Sequence, residues 1–597
     1  MKHRIATALT LTAALGSATV AQAQGGNTPA KPKLAVVLVL DQFRAEYLTR
    51  YAPFFGEGGF KWLMRTGATV KDAHYTYATT YTGPGHALIL SGTYGHTNGI
   101  IGNRWYNRTS KQTESMFYDA KSELITVGMP KFTANKPGDI ALSSDSINVA
   151  SLLESMTPAA STLKASPKDD DTSPRNFIGN NLSDQLLLAN NFRSKAIGLS
   201  NKDRAAIMLA GKLGKAYWYH EAAGGMISSS YYSRYGLPRW VEEFNARKLP
   251  ETYMGKTWTK LLPESAYAIS RTDAFDAETD FKGLGKTFPH TLTDKTGKPT
   301  ADFYEAFTAT PWANDYQLEL ARKAIEAEQL GADAYTDILG VSITATDIAG
   351  HSWGPDSHEV QDMIVRLDGQ LADFFTYLNK RFKKGEVLIA LTSDHGACSI
   401  PEYSASIGLE AARIKKKQLN EAIDTALDAR YGKPEGGAKW VLVLEDPGIF
   451  LNHDLLDAKK LDRAEVERIV GEATLTVPGV TAFFTRSQFL SGNLPPNRWA
   501  SYFEKSFYAP RSGDVLIQTK PFYFWGSYGE RDTGSTHGSP YEYDTHVPML
   551  FNGPGVKPGS YTLNADMTDF APTLAALLGI TAPAGNEGKR LSEVLTP

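Results

Sequence analysis

The chain has 597 residues, enough for a large buried core, and its 62 Lys and Arg nearly balance 65 Asp and Glu with no basic tract. That balance excludes nucleic-acid binding driven by bulk charge, so attraction for a phosphate has to come from a few local cations. Its one cysteine, Cys398, excludes an intramolecular disulfide, and a buried thiol is the reading preferred over a metal ligand there.

The N-terminus reads as a signal peptide over residues 1–23. Lys2 and Arg4 form a basic start, Ile5 to Val20 an apolar stretch, and Ala21-Gln22-Ala23 a small-x-small cleavage pattern. The stretch is short and weakly apolar for a membrane span, and no later run is long enough to cross a bilayer. An exported protein, periplasmic or secreted, is expected. Residues 24–33 suit a flexible leader.

A continuous apolar run, Lys33–Leu40, then stops at Asp41. Such runs suit central strands of a parallel sheet covered on both faces. Further strands are expected at Lys195–Leu199, Thr336–Ile343, Val387–Leu391 and near His546–Phe551. Amphipathic helices are expected at Asp315–Leu330, His358–Phe382 and Met567–Leu578. The alternation argues for a doubly covered α/β sheet. Two stretches, about 215–312 and 403–510, fit it poorly and read as insertions building a cap beside the site within a single catalytic domain, 34–597.

Chemistry-bearing residues cluster after these strands, the edge where open α/β sheets place ligands. They are Asp41, the pair Asp347 and His351, the adjacent Asp394 and His395, and His537 in Ser-Thr-His-Gly. Three carboxylates and three imidazoles suffice for two zinc ions with three protein ligands each, leaving open positions of the catalytic kind. Asp347 and His351 share a face if the segment is helical. Asp394 and His395 converge only if the strand has ended, as Gly396 suggests.

Thr82 opens Thr-Gly-Pro-Gly-His86, a turn entering a helix whose amides and dipole would favour negative charge at the hydroxyl. Zinc coordination would lower the pKa of a threonine otherwise too weak as a nucleophile. Thr79 and Thr80 are competitors that spacing does not separate from Thr82. Lys202 and Arg204 follow a strand, and period-two alternation would point both to one side. Their charges would offset a phosphate monoester dianion, and arginine can grip two of its oxygens. Asn103, in Gly-Asn-Arg-Trp, is a candidate amide donor.

In this order the stretches Val-Leu-Asp41-Gln-Phe, Thr82-Gly-Pro-Gly-His, Gly-Asn103-Arg-Trp, Lys202-Asp-Arg204-Ala-Ala-Ile, Ala-Thr-Asp347-Ile-Ala-Gly-His351, Ser-Asp394-His395-Gly and Thr-His537-Gly-Ser resemble the threonine-nucleophile bacterial alkaline phosphatases of the PafA and PhoK type. That group lies in the alkaline phosphatase superfamily, related to the nucleotide pyrophosphatase/phosphodiesterases. The resemblance covers nearly the whole mature chain. It implies a three-layer α/β/α sandwich with a mostly parallel sheet and cap insertions. It also implies two Zn²⁺, one held by Asp347, His351 and His537, the other by Asp41, Asp394 and His395 beside Thr82. Asn103, Lys202 and Arg204 would contact phosphoryl oxygens, and Thr82 would become transiently phosphorylated. Ala397-Cys398 follows Gly396 where relatives often carry another glycine.

The expected activity is therefore hydrolysis of small phosphate monoesters by a monomeric zinc enzyme. The alternatives are a phosphodiesterase on the same metal core and, from a different class, a non-catalytic exported metal- or ligand-binding protein. A sulfatase lacks its Cys/Ser-x-Pro-x-Arg pattern here, and a phosphomutase would place serine at the nucleophile and manganese in the site.

Overall fold

Leu34–Leu40 forms the central strand β1 with every side chain buried. Alternation sends its residues to two different cores. Leu34, Val36, Leu38 and Leu40 enter one, and Ala35, Val37 and Val39 enter the other. A strand buried this way on both faces requires a covering layer on each.

The structure is a computed structural model and describes residues 31–127, 160–163, 165–167, 169–294 and 296–597. The proposed signal peptide and most of the leader lie outside these. Following β1 come β2 (Ala68–His74), β3 (Leu124–Val127), β4 (Ala160–Leu163), β5 (Ala196–Ser200), β6 (Lys215–His220), β7 (Gly225–Ser229), β8 (Asp337–Ile343) and β9 (Val387–Thr392). A separate group follows, β10 (Val441–Glu445), β11 (Gly448–Leu451), β12 (Val480–Thr485) and β13 (Val515–Thr519), then β14 (Met549–Asn552) and β15 (Gly559–Asp566). The main sheet has 11 strands in the order β15-β2-β14-β9-β1-β8-β5-β6-β7-β3-β4.

β9, β8, β5 and β6 run parallel to β1 through successive neighbours. β2, β15 and β3 share that direction, while β14, β7 and β4 run against it. The sheet is thus mostly parallel. The strand expected near His546–Phe551 forms as β14 but lies antiparallel; a buried apolar run reads alike in either direction.

On one face pack the helices α1 (Thr82–Ile89) and, from the C-terminal end, Phe570–Leu578. The short α2 (Asp203–Ala210) packs beside β5 and β6. On the other face lie α3 (Pro311–Ala327), α4 (Ala345–Trp353) and α5 (His358–Arg381). The fold is an α/β/α sandwich.

The segment 215–312 opens with β6 and β7 of the main sheet, and Trp240, Phe244 and Trp258 further on share the core of α3 and α5. From Ile414 to Trp525 a second core forms around the small sheet β10-β11-β13-β12 and the helices Lys416–Tyr431 and Arg463–Thr474. Its β10–β11 turn carries Glu445 and Asp446 towards the strand ends. No helix among the described residues is long and apolar enough to cross a membrane.

Candidate active site

Four adjacent parallel strands, β9, β1, β8 and β5, end at one edge and deliver the candidate residues there. β1 stops at Leu40 and Asp41 follows, its N–H still donating to Ile343 O at 2.9 Å. β8 stops at Ile343, and α4 turns Asp347 and His351 onto one face, His351 Nε2 3.3 Å from Asp347 Oδ1. β9 stops at Thr392, so Asp394 and His395 are free of strand alternation, and Gly396 N–H bonds to Asp544 O instead. His537 joins from the loop before β14. The structure brings Asp347, His351 and His537 into one group and Asp41, Asp394 and His395 into another, with donor atoms within 4.8 Å of one another in each.

All three imidazoles are held alike. Nδ1–H of His351 donates to Ser535 O at 2.7 Å, that of His395 to Gly396 O at 2.8 Å, and that of His537 to Thr80 O at 2.7 Å. A carbonyl only accepts, so each Nδ1 carries the proton and each Nε2 presents a bare lone pair. Those Nε2 atoms face carboxylates: Asp347 Oδ1 lies 3.7 Å from His537, and Asp41 Oδ1 and Asp394 Oδ2 each lie 3.5 Å from His395. Neutral imidazole aimed beside carboxylate, with the far nitrogen anchored, is the donor set of a divalent metal site.

The electrostatics agree. Neither oxygen of fully buried Asp41 accepts a hydrogen bond, although Lys202 Nζ stands 2.8 Å from Oδ2. Lys202 also reaches Asp347 Oδ2 at 2.5 Å. One ammonium is thus shared by two of the three buried carboxylates, an excess of negative charge that cations would offset. Burial and the charges of Asp347 and Asp394 push Asp41 well above the usual carboxylate range. Burial opposes ionisation of Asp347 too, but the Lys202 ammonium beside it holds its carboxyl well below that range. Burial keeps His395 and His537 low, hence neutral. The residues of each group fit a divalent metal ion.

Thr82 is the first residue of α1, 1% exposed, with Oγ1 3.4 Å from His395 Nε2. The helix start is less generous to an anion than expected. Gly83 N–H is taken by Asn103 Oδ1 at 2.7 Å, and Pro84 has no N–H. The same bond holds the Asn103 carbonyl inward and leaves its NH₂ as the available donor. Of the competing threonines, Thr80 spends its hydroxyl on Ser539 O, whereas Thr79 Oγ1 is buried without a hydrogen bond. α1 lies hard against the second group: a Cβ on Gly85 would sit 2.3 Å from Asp394 O, and one on Gly83 2.1 Å from Met116 Sδ.

Lys202 reaches the site by a different route from strand alternation. Lys202 caps α2 and Arg204 lies in its first turn, paired with Asp203 at 3.3 Å. Cys398 is buried, its thiol pushed well up by burial.

Sequence reasoning missed several residues. His86, one turn after Thr82, places Nδ1 2.9 Å from Thr82 O and 3.1 Å from Asp394 Oδ2; its place in the Thr-Gly-Pro-Gly-His segment was the available signal. Gln42, in a left-handed conformation at φ 60, donates Nε2–H to Asp347 Oδ1 at 2.7 Å. A cleft lined by Asn103, His351 and His537 also meets Tyr81, Glu445 and Tyr528, the last stacked on His351 at 5.0 Å.

Comparison with known proteins gives a consistent picture. The family model described as type I phosphodiesterase / nucleotide pyrophosphatase matches residues 35–540. Alkaline phosphatase PhoV of Synechococcus elongatus is 33% identical over 570 residues, 95% of this chain and 94% of the relative. Alkaline phosphatase PafA of Elizabethkingia meningoseptica is 33% identical over 581 residues, 96% of each. The crystal structure of wild-type PafA superposes with a TM-score of 0.80 at 31% identity, covering 95% of this chain and 99% of that one.

Proposed function

The chain belongs to the type I phosphodiesterase / nucleotide pyrophosphatase family, and on that premise we propose that this phosphate monoester hydrolase is a zinc-dependent alkaline phosphatase working through a covalent phosphothreonine at Thr82. The observation that carries the reading is the common anchoring of His351, His395 and His537 through Nδ1, with every Nε2 turned to a carboxylate beside one buried hydroxyl.

Asp347, His351 and His537 would hold one zinc, and Asp41, Asp394, His395 and Thr82 the other. Bound there, zinc supplies Lewis-acid stabilisation of developing charge and lowers the pKa of hydroxyl groups and water. Thr82 Oγ attacks phosphorus in line; the new P–O bond forms as the bond to the alcohol breaks, giving phosphothreonine and the free alcohol. Water then attacks the same phosphorus from the vacated side and restores Thr82. Lys202, Arg204 and the Asn103 NH₂ bind non-bridging oxygens and hold the group for both steps. His86 orients the Thr82 carbonyl and Asp394, and so the start of α1.

The second core, Ile414–Trp525, acts as the cap, since Glu445, Asp446 and Trp525 border the cleft. The basic start, apolar stretch and Ala21-Gln22-Ala23 pattern support export to the periplasm or outside the cell. A diester carries one negative charge and has less use for both Lys202 and Arg204. The test joins zinc analysis to the monoester/diester activity ratio: two zinc equivalents with monoester preference support the reading, and diester preference overturns the substrate class.

A further inference from the structure

A third group of metal-binding side chains lies outside this site. β2 carries Asp72 and His74, two positions apart and so on one face of the strand. The short helix Glu542–Thr545 ends at His546, which bridges back to His74. The two imidazoles stack with centroids 4.4 Å apart and planes 14° apart. One donor atom from each of Asp72, His74 and His546 lies within 4.8 Å of the other two.

The tautomers suit a ligand. His546 Nε2–H donates to Lys71 O at 2.8 Å, so its Nδ1 is bare, and Glu542 Oε1 stands 4.0 Å from that Nδ1. His74 Nε2 lies 3.0 Å from Asp72 Oδ1, close to the separation of two ligands on one tetrahedral ion. His74 Nδ1 lies 3.4 Å from Thr545 Oγ1, a partner that leaves Nε2 as the nitrogen turned to the cluster.

We propose that Asp72, His74 and His546 form a third site for a zinc-like divalent cation, with Glu542 within reach as a fourth ligand. Two imidazoles and carboxylate oxygen favour zinc over calcium or magnesium. The site is structural, because it joins two segments that both lead to the active centre. Beyond His74, Tyr75 donates its hydroxyl to Ser393 O at 2.8 Å, next to Asp394. Within the short helix, Asp544 accepts from Gly538 N at 3.1 Å and Ser539 N at 2.9 Å, next to His537. A cation clamping β2 to this helix would stiffen both approaches without touching substrate.

The experiment strips the full chain with chelator, restores it with zinc alone, and compares wild type with the H74Q/H546Q double variant by elemental analysis. The double variant is expected to hold one equivalent fewer, to lose the matching part of the zinc-induced rise in Tm, and to keep its turnover number. The measurement is a difference between two proteins, so it stands whatever the absolute content of the catalytic centre. Equal zinc content overturns the proposal. Should the double variant fail to fold, D72N is read by zinc titration: the additional equivalent is expected at free zinc about 10-fold higher or more, and an unchanged titration overturns the proposal.

Discussion

The imidazoles of His395 and His537 lie face to face, with ring centroids 3.5 Å apart and planes 15° apart. Each belongs to a different group of metal-binding side chains, so this contact joins the two groups. It is compatible with neutral rings, whereas two imidazolium ions at this spacing would repel. Burial and its two imidazole neighbours act together to hold the His537 pKa far down.

Removing the hydroxyl isolates its role. Thr82→Ala is expected to lower turnover of a chromogenic phosphate monoester by about 10³-fold or more while zinc content stays at the wild-type value. Thr82→Ser should retain measurable turnover. Wild-type protein quenched during turnover should carry phosphate on Thr82 by peptide mass spectrometry, and phosphate found on Thr79 or Thr80 instead would sink the nucleophile assignment.

Lys202 contacts Asp41 and Asp347 and is proposed to bind the phosphoryl group. Lys202→Ala is therefore expected to lower kcat/KM for a monoester by about 10²-fold and for a diester by clearly less. Steady-state kinetics on a matched substrate pair give the ratio; an equal loss on both substrates would assign Lys202 to the carboxylates alone.

His86 acts through its neighbours. Its Nε2 lies 3.0 Å from Ser342 Oγ, which ties the ring to β8, while Nδ1 serves Thr82 O and Asp394. His86→Ala should weaken zinc binding by about 10–100-fold, as loss of a partner behind a metal ligand does. Competition with a chelator of known affinity measures this directly, and excess zinc should recover part of the activity.

Asp446 offers a test in pH. Burial first, then the charge of Glu445, pushes its carboxyl up to about 7. The folded state therefore holds this proton more tightly than the unfolded chain. Its contribution to stability is full below the unfolded carboxylate pKa and is lost as pH rises to about 7. Asp446→Asn keeps the shape without the charge. The variant should gain on wild type as pH rises from about 4 to about 7, by at most about 4 kcal/mol. Urea midpoints across that window would reveal it, and parallel curves would contradict it.

The residues legible in the sequence are those whose position follows from local pattern. Asp41, Asp347 and Asp394 could be found because an apolar run ends just before each, and strand ends are where this architecture gathers ligands. His351 was legible through helical spacing from Asp347. Gln42, His86 and Tyr528 act through space, across elements far apart in the chain, and no local pattern encodes such contacts. For Lys202 and Arg204 the geometry assumed was that of a strand, whereas Lys202 is the N-cap of α2 and Arg204 lies in its first turn. The direction of β14 escaped for a related reason: burial on both faces erases the alternation that might distinguish an antiparallel strand.

Gly83 and Gly85 leave room for nothing larger than hydrogen where α1 meets Met116, Asn103 and the Asp394 backbone. Those two hydrogen atoms act as shims. They set how closely the start of the helix, and with it the proposed nucleophile Thr82, lies to Asp394, a gap that a single methyl group at 85 would widen. Reactivity here is governed partly by carbon atoms that are missing, and an inventory of chemically active groups would never count them.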